Sequence, residues 1–470
     1  MMVAMFMSKY QRAALALLWC VSFPFHVAFS QWTSGREEYI LDNGDRYTGK
    51  MVDGLPDGRG RIVYTDGEQY EGFFVRGKRH GRGRYLYGDE SVYEGEWVDG
   101  IRKGKGLYTD RFGNRYEGEW NDQPEGNGVF YYANGNRYEG HFVKGMHEGA
   151  GTCCYADSSR YVGNWSGGLR CGQGVYTDQA GNRYEGCWSD DVPNGKGKYS
   201  FADGSCYEGD FVNGIKQGKC IYRFADGQQY EGDWQDNGPG AWGVLHYPNG
   251  GWYEGGWLDG QPHGKGVLVT ADSTRYEGDF VEGRKEGQGV CSYSDGRRYE
   301  GDWMNSQPMG QGSLSYPDGG SYEGDFVNGR LQGMGTYRFK DGSCYEGRWT
   351  DGAPDGKGRM AYANGDQYEG DWTHGQRSGE GVLTMANGET YEGGFVDNQM
   401  EGKGTYRFCN GDKYVGSWKK GQPTGQGVLY YANGDRYEGG WLDGQPHGKG
   451  ILYRKDGTKY SQQYANGQLL

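Results

Sequence analysis

The sequence predicts an all-β protein, an elongated single-layer twisted antiparallel meander of stacked β-hairpins. Three observations carry this prediction. A tyrosine returns every 23 residues from Tyr47 to Tyr460, through nineteen anchors, with a single interval of 22 between Tyr116 and Tyr138. Small or aromatic residues alternate with charged ones after each anchor, the period of a strand. Asn-Gly and Asp-Gly dipeptides, which accept positive φ, separate the alternating runs. A fixed period of this length means a repeat array, in which one small unit stacks on its neighbours.

Composition narrows the class further. The chain has 470 residues, with 92 glycines and 41 tyrosines, and only 35% are hydrophobic. The glycines follow no three-residue period, which excludes collagen. Aromatics make up 16%, which excludes simple disorder. Many small cores are needed, each built by one unit and its neighbours. The net charge is −13, or −15 without Lys9 and Arg12. Nucleic acid is a poor partner for such a chain, because phosphate binding draws on clustered Lys and Arg. An acidic membrane surface is disfavoured globally and left to a local basic stripe.

Residues 1–30 differ in kind. Lys9 and Arg12 form a basic n-region, Ala13 to Phe23 is an apolar run, and Ala28-Phe29-Ser30 offers small residues for cleavage before Gln31. This is the layout of a signal peptide, or of an N-terminal anchor if uncleaved; a membrane span needs about 20 apolar residues. The expected organisation is 1–30 signal or anchor, 31–46 half-repeat cap, 47–459 repeat array, and 460–470 half-repeat with tail. The location follows the N-terminus: membrane-associated or secretory if the signal is used, cytoplasmic or cytoskeletal if the start lies further on. Nine cysteines remain after the signal, irregularly spaced and without a CxxC pair, which argues against a disulfide ladder or a zinc site. Asn164-Trp165-Ser166 is a glycosylation sequon that matters only in the secretory pathway.

One unit illustrates the rest. Tyr93, Gly95 and Trp97 point to one face, and Glu94, Glu96 and Val98 to the other. Asp99-Gly100 opens a turn, Gly104, Gly106 and Tyr108 continue on a return strand, and a second glycine turn leads to Tyr116. Counting from the anchor, position +4 is aromatic in eighteen of nineteen units, with Met51 the exception. A turn near +8 places +4 opposite +13, usually glycine, and places the +2 glycine opposite the apolar +15. On this reading Trp97 lies over Gly106, and Gly106→Val clashes with Trp97. The same anchors recur as Tyr116, Gly118 and Trp120; as Tyr253, Gly255, Trp257 and Gly266; and as Tyr437, Gly439, Trp441 and Gly450. Glu follows the anchor in fifteen units. The structural reading of that row, pairing with Arg115, Arg137 or Arg183, outweighs a catalytic one. The terminal units, Tyr39 to Gly44 and Tyr460 to Tyr464, read as halves, and such edges are natural pairing sites.

The unit Tyr-Glu-Gly-x-Trp/Phe-x-x-Gly-x-x-x-Gly-x-Gly resembles the MORN (membrane occupation and recognition nexus) repeat family, most closely at Tyr93–Trp97 and Tyr116–Trp120. The resemblance implies extended, twisted sheets of stacked hairpins, often dimeric. It also implies scaffolds at junctions of membrane and cytoskeleton, with lipid binding in some members. The N-terminal signal is the departure, because members are typically cytosolic.

No catalytic constellation emerges. His80, His263 and His447 share phase +10, which places them in a turn. Gly104-Lys105-Gly106 lacks Walker spacing, and no calcium loop fits. No catalytic residue, metal ligand or cofactor is therefore expected. The favoured function is a non-enzymatic scaffold that binds proteins, with itself among them, at or near a membrane surface. Nineteen units would span roughly 180 Å at about 4.8 Å per strand. The alternative is a secreted or luminal protein that recognises glycans or surface partners through exposed aromatics.

Overall fold

The computed structural model describes residues 37–470. The signal or anchor at 1–30 and the start of the half-repeat cap lie outside the described residues. The chain divides into two units at Leu169/Arg170. In the first, twelve strands from Glu38–Ile40 to Arg160–Ser166 each pair antiparallel with the next. In the second, strands from Leu169–Thr177 to Gln468–Leu469 do the same. No helix occurs among the described residues.

Each hairpin is built as the turn residues require. In the unit of Tyr93, strand Val92–Val98 leads through Asp99 and Gly100 into strand Ile101–Thr109. Asp99 has φ 50° and Gly100 φ 88°, the paired positive values of a two-residue type I′ turn, whose twist matches that of the flanking strands. The second turn is of the other common kind. Gly113 N donates to Asp110 O at 3.2 Å and Asp110 N to Asn114 O at 2.9 Å, a type I turn closed by a left-handed glycine. The 22-residue interval has its deletion in the first turn. There Asn121 and Gln123 face each other across a single residue, Asp122 at φ 64°.

Tyr39 pairs with Tyr47. Asn466 and Gly467 turn the last full strand, Lys459–Ala465, back onto Gln468–Leu469.

The register differs from the sequence expectation. Gly95 pairs with Gly106, Tyr93 with Tyr108, and Trp97 with Arg102, with a bulge between Gly95 and Trp97. The same shift separates Gly255 from Trp257, where Trp257 pairs with Pro262, and Gly439 from Trp441, where Trp441 pairs with Pro446. Position +4 therefore faces +9, and the two glycines face each other. The bulge adds a residue at +3, which symmetrical counting from the turn overlooks. His80, His263 and His447 accordingly fall on return strands just past the turn.

The tyrosine, not the tryptophan, lies over the glycines. A Cβ built on Gly106 would sit 2.5 Å from both Cε2 and Oη of Tyr93, and one on Gly255 would sit 2.5 Å from Tyr253 Oη. The phenol reaches across both glycines and donates to the carbonyl of the bulged residue: Tyr93 Oη to Glu96 O at 3.0 Å, Tyr116 to Glu119 O at 3.0 Å, Tyr253 to Gly256 O at 2.9 Å. The bulge frees that carbonyl from the ladder, and the hydroxyl satisfies it.

The +4 rings then enclose the tyrosines. Tyr93 meets Trp97 of its own unit at 5.2 Å and Trp120 of the next at 5.0 Å, both edge-on. Each such pair contributes about 0.5–1.5 kcal/mol beyond area burial. Within each unit this makes a zigzag of rings that leaves the anchors 0–1% exposed, whereas Tyr460, on the last full strand described, is 52% exposed.

Polar side chains hold neighbouring turns together. The carboxamide of Asn114 accepts from Ala133 N at 2.8 Å, and that of Asn136 from Ala156 N at 3.0 Å. At the opposite edge Glu125 accepts from Lys144 N at 3.0 Å and Glu401 from Lys420 N at 2.9 Å.

This register makes a direct prediction. Gly106→Ala is expected to be strongly coupled to Tyr93→Ala, because removing the ring removes the clash, and nearly additive with Trp97→Ala. A double-mutant cycle on local stability, read by amide hydrogen exchange, should give an interaction of at least about 1 kcal/mol for the first pair and under about 0.5 kcal/mol for the second.

Candidate interaction surfaces

The sheet offers two faces and two rows of turns. On the aromatic face Tyr93, Tyr116, Tyr253 and Tyr437 are buried with Trp97, Trp120, Trp257 and Trp441. Burial raises the pKa of Tyr93 and Tyr116, and raises that of Tyr253 to about 12. Most of the +4 tryptophans share one further bond. Trp120 Nε1 donates to Gly106 O at 3.1 Å and Trp257 Nε1 to Gly243 O at 3.2 Å, the +13 carbonyl of the preceding unit.

Position +9 borders these rings and is proline, a cation or a similar bulky group. The Arg79 guanidinium lies 4.4 Å from the Trp97 ring centroid and donates to Gly100 O at 3.0 Å. Arg170 and Arg377 make the corresponding donation to the next turn, at 2.7 and 2.8 Å. These cations clamp neighbouring units and are structural. His147 stacks on Tyr138 at 3.6 Å, and burial lowers its pKa to about 4.

The opposite face carries charge. The expected glutamate pairs form: Arg115 with Glu117 at 2.8 Å, Arg137 with Glu139 at 2.7 Å, and Arg183 with Glu185 at 2.5 Å. Exposed pairs of this kind contribute about 0–1 kcal/mol each. Cross-strand pairs join +12 to the +3 residue of the next unit, as Lys219 with Asp233 and Lys265 with Asp279, each at 2.7 Å. Between these rows runs a shallow groove floored by glycines, with cavities of about 580, 620 and 590 Å³ in the second unit. Asn164 is on this face, on strand Arg160–Ser166 opposite Ala150.

Part of the edge of type I′ turns in the first unit is apolar. Val52, Leu55, Val75, Val98, Ile101 and Met146 are all exposed, at positions +5 and +8. They follow no signal that alternation alone supplies, because both positions lie outside the buried face. Among the described residues no group of His, Cys, Asp or Glu is arranged to hold a metal ion, and no helix is long and apolar enough to cross a membrane.

One unit departs from the pattern. The +11 glycine, which has φ 96° as Gly104 and 73° as Gly264, is replaced by Ala241, a residue outside the positive-φ set. Pairing to the following strand begins only at Trp242 with Gly256. Just before it, Cys220 replaces the +13 glycine and Trp234 Nε1 has no hydrogen-bond partner. Trp234 instead stacks on Tyr222 at 5.1 Å and 18°. Burial, with Asp233 nearby, pushes the Cys220 thiol up to about 12.

These features define a β-hairpin repeat protein whose repeated residues serve packing. The chain belongs to the MORN repeat family: the MORN repeat model matches seventeen copies between residues 47 and 459, passing over 230–252, the irregular unit. No curated protein matches the chain. Among solved structures, it is similar to the SAS-4 TCP domain of Drosophila melanogaster in complex with a proline-rich motif of Ana2, at 16% identity and TM-score 0.23, covering 33% of this chain and 85% of that one. It is also similar to the TCP10 domain of Danio rerio CPAP in complex with a STIL peptide, at 12% identity and TM-score 0.22, covering 57% and 94%. Streptogramin B lyase follows at 11% identity and TM-score 0.11, covering 67% and 90%.

Two predictions follow from the irregular positions. The Trp234 indole N–H should exchange with solvent faster than that of Trp257, and Cys220→Gly should slow it; NMR of indole-labelled protein reads both. His147 is held neutral by burial, so its folded pKa lies below the unfolded 6.5. Its contribution to stability is therefore complete above about pH 6.5 and is lost as pH falls toward 4. His147→Pro, the residue present at +9 as Pro193 and Pro262, should remove that part of the acid sensitivity, measured as the difference in Tm between pH 7 and pH 4.5.

Proposed function

We propose that this protein is a non-enzymatic scaffold that assembles proteins, its own copies among them, at or near membranes or the cytoskeleton. The observation that carries this reading is the apolar edge of the first unit. Val52 pairs with Leu55 and Val98 with Ile101 across alternate I′ turns, all exposed, with Val75 opposite Lys78 between them. Evenly spaced equivalent sites suit a partner that engages several at once, since linked sites bind with high effective concentration. An exposed apolar row of this kind marks an interaction surface. The glycan reading draws little support from the +4 tryptophans, because they are buried and offer no stacking face.

The edge can be changed without touching the buried rings. Lys419 already occupies +5 in its unit and Lys78 occupies +8 in another, so Val98→Lys with Ile101→Lys leaves the hairpin intact. Sedimentation of wild type at micromolar concentration is expected to show self-association, and the double variant, with an unchanged circular dichroism spectrum, is expected to show less. A wild type that stays monomeric and does not float with anionic lipid vesicles would overturn the proposal.

A further inference from the structure

The irregular unit lacks the Lys–Asp pair of the units on either side, and an indole stands in its place. At +12, where Lys219 and Lys265 pair with Asp233 and Asp279, stands Trp242, and its cross-strand partner is Gly256. Both halves of the usual pair are therefore replaced together, by an indole and by a residue with no side chain. Trp242 is 48% exposed, while the +4 tryptophans are buried. Position −1 also lacks a cation here, as it does at Cys206 and Ser321. Arg275 and Arg298 at that position neutralise Glu277 and Glu300 at 2.7 Å. The corresponding residues in this stretch are Gln229 and Trp252, so Glu231 and Glu254 have no cation two residues before them. The cross-strand neighbours of these two carboxylates are Ile221, Val244 and Val267, which are apolar.

The result is one place on the charged face where carboxylates stand uncompensated beside an open indole. Val244, on the same strand and face as Trp242, pairs with both Glu231 and Glu254. Glu254 lies between Trp252, two residues before it on its strand, and the Trp242–Gly256 pair, two residues after it. The adjoining groove of about 590 Å³ is lined by Trp242, Glu254, Val267, Glu277 and Val290, with Lys265 at one wall. A side chain at 256 would run into the carbonyl of His263, so the space beside the indole stays open by backbone constraint.

We infer that this groove binds an extended, arginine-bearing segment of a partner protein, with one arginine stacked on Trp242 and reaching Glu231 and Glu254. The chemistry is specific to that occupant. A guanidinium stacks on an indole face and donates to carboxylates in one plane, whereas an acidic segment is repelled and a neutral sugar leaves both charges unpaired. The spacing agrees. Successive units repeat every two strands, about 9.6 Å, and three residues of extended chain span about 10 Å. An arginine at every third residue therefore keeps step with the units, and the one that stacks on Trp242 reaches Glu231 and Glu254. The inference rests on the reading of this chain as a binder of proteins, but at a surface separate from the apolar edge.

The test uses the full chain and a dodecapeptide repeating Arg-Gly-Ser, with a peptide repeating Glu-Gly-Ser as the acidic counterpart, by isothermal titration at low and at physiological salt. Wild type should bind the arginine peptide and not the acidic one. Trp242→Lys restores the residue type held at 219 and 265, so the fold is retained, and it should weaken binding at least tenfold. Glu231→Gln with Glu254→Gln should weaken it comparably and flatten the salt dependence. Equal affinity in Trp242→Lys, no binding by wild type, or equal binding of the acidic peptide would each overturn the inference. The Val98→Lys, Ile101→Lys variant should bind the peptide as wild type does, so loss of assembly and loss of this site are read apart.

Discussion

The tyrosine hydroxyl that reaches the bulged +3 carbonyl is the bond on which the rest of each unit depends. The bulge releases that carbonyl from the ladder, and an unsatisfied buried acceptor costs about 1–3 kcal/mol. To reach it the phenol must cross two backbone positions, and only glycine leaves room there: at Gly95 and Gly106 the approach between the two backbones is already close. One hydrogen bond thus dictates the tyrosine, both glycines and the bulge. The bulge in turn sets +4 opposite +9, which directs the tryptophan toward the preceding unit's +13 carbonyl and brings a proline or cation alongside the ring.

The irregular unit shows how the device fails and what that failure frees. With Cys220 at +13, the Trp234 indole loses its acceptor and turns flat against Tyr222. With Ala241 at +11, the backbone does not take the left-handed conformation that glycine adopts there, and the first pairing to the next strand is lost. Yet Tyr230 still covers Gly232 and Gly243 and still donates to Asp233 O at 2.7 Å. The hairpin survives because the tyrosine bond survives. Stability in a repeat array is a sum of local and nearest-neighbour terms, so one weak unit is tolerated, and its charged face can depart from the pattern without unfolding its neighbours.

Binding and packing are divided between surfaces. The aromatic face is consumed by packing, down to its cations, which are tied to turn carbonyls. The charged face and the row of I′ turns are tied together by side-chain bonds and ion pairs and leave apolar and aromatic side chains such as Val98, Ile101 and Trp242 exposed. Trp242 and Gly256 keep their place in the ladder, so the charged face varies there without disturbing it.

Much of this was legible in the sequence. Periodicity gave the hairpins, Asp99-Gly100 and its equivalents gave the turns, and Arg115, Arg137 and Arg183 were read correctly as partners of the glutamates two residues on, because strand alternation and turn chemistry are local. The register was not legible. A bulge adds a residue without any mark in the alternation of Tyr93, Gly95 and Trp97, and counting from the turn set the tryptophan over the glycine that the tyrosine covers. The exposed apolar row at +5 and +8 and the isolation of Trp242 were hidden for a related reason: exposure depends on what lies across the strand and in the next unit. The sequence by itself determined the repeat, the strands and the turns, since each follows from neighbouring residues. Only the tertiary structure decided which aromatic meets which glycine, since Tyr93 covers Gly106 through a register that one inserted residue resets.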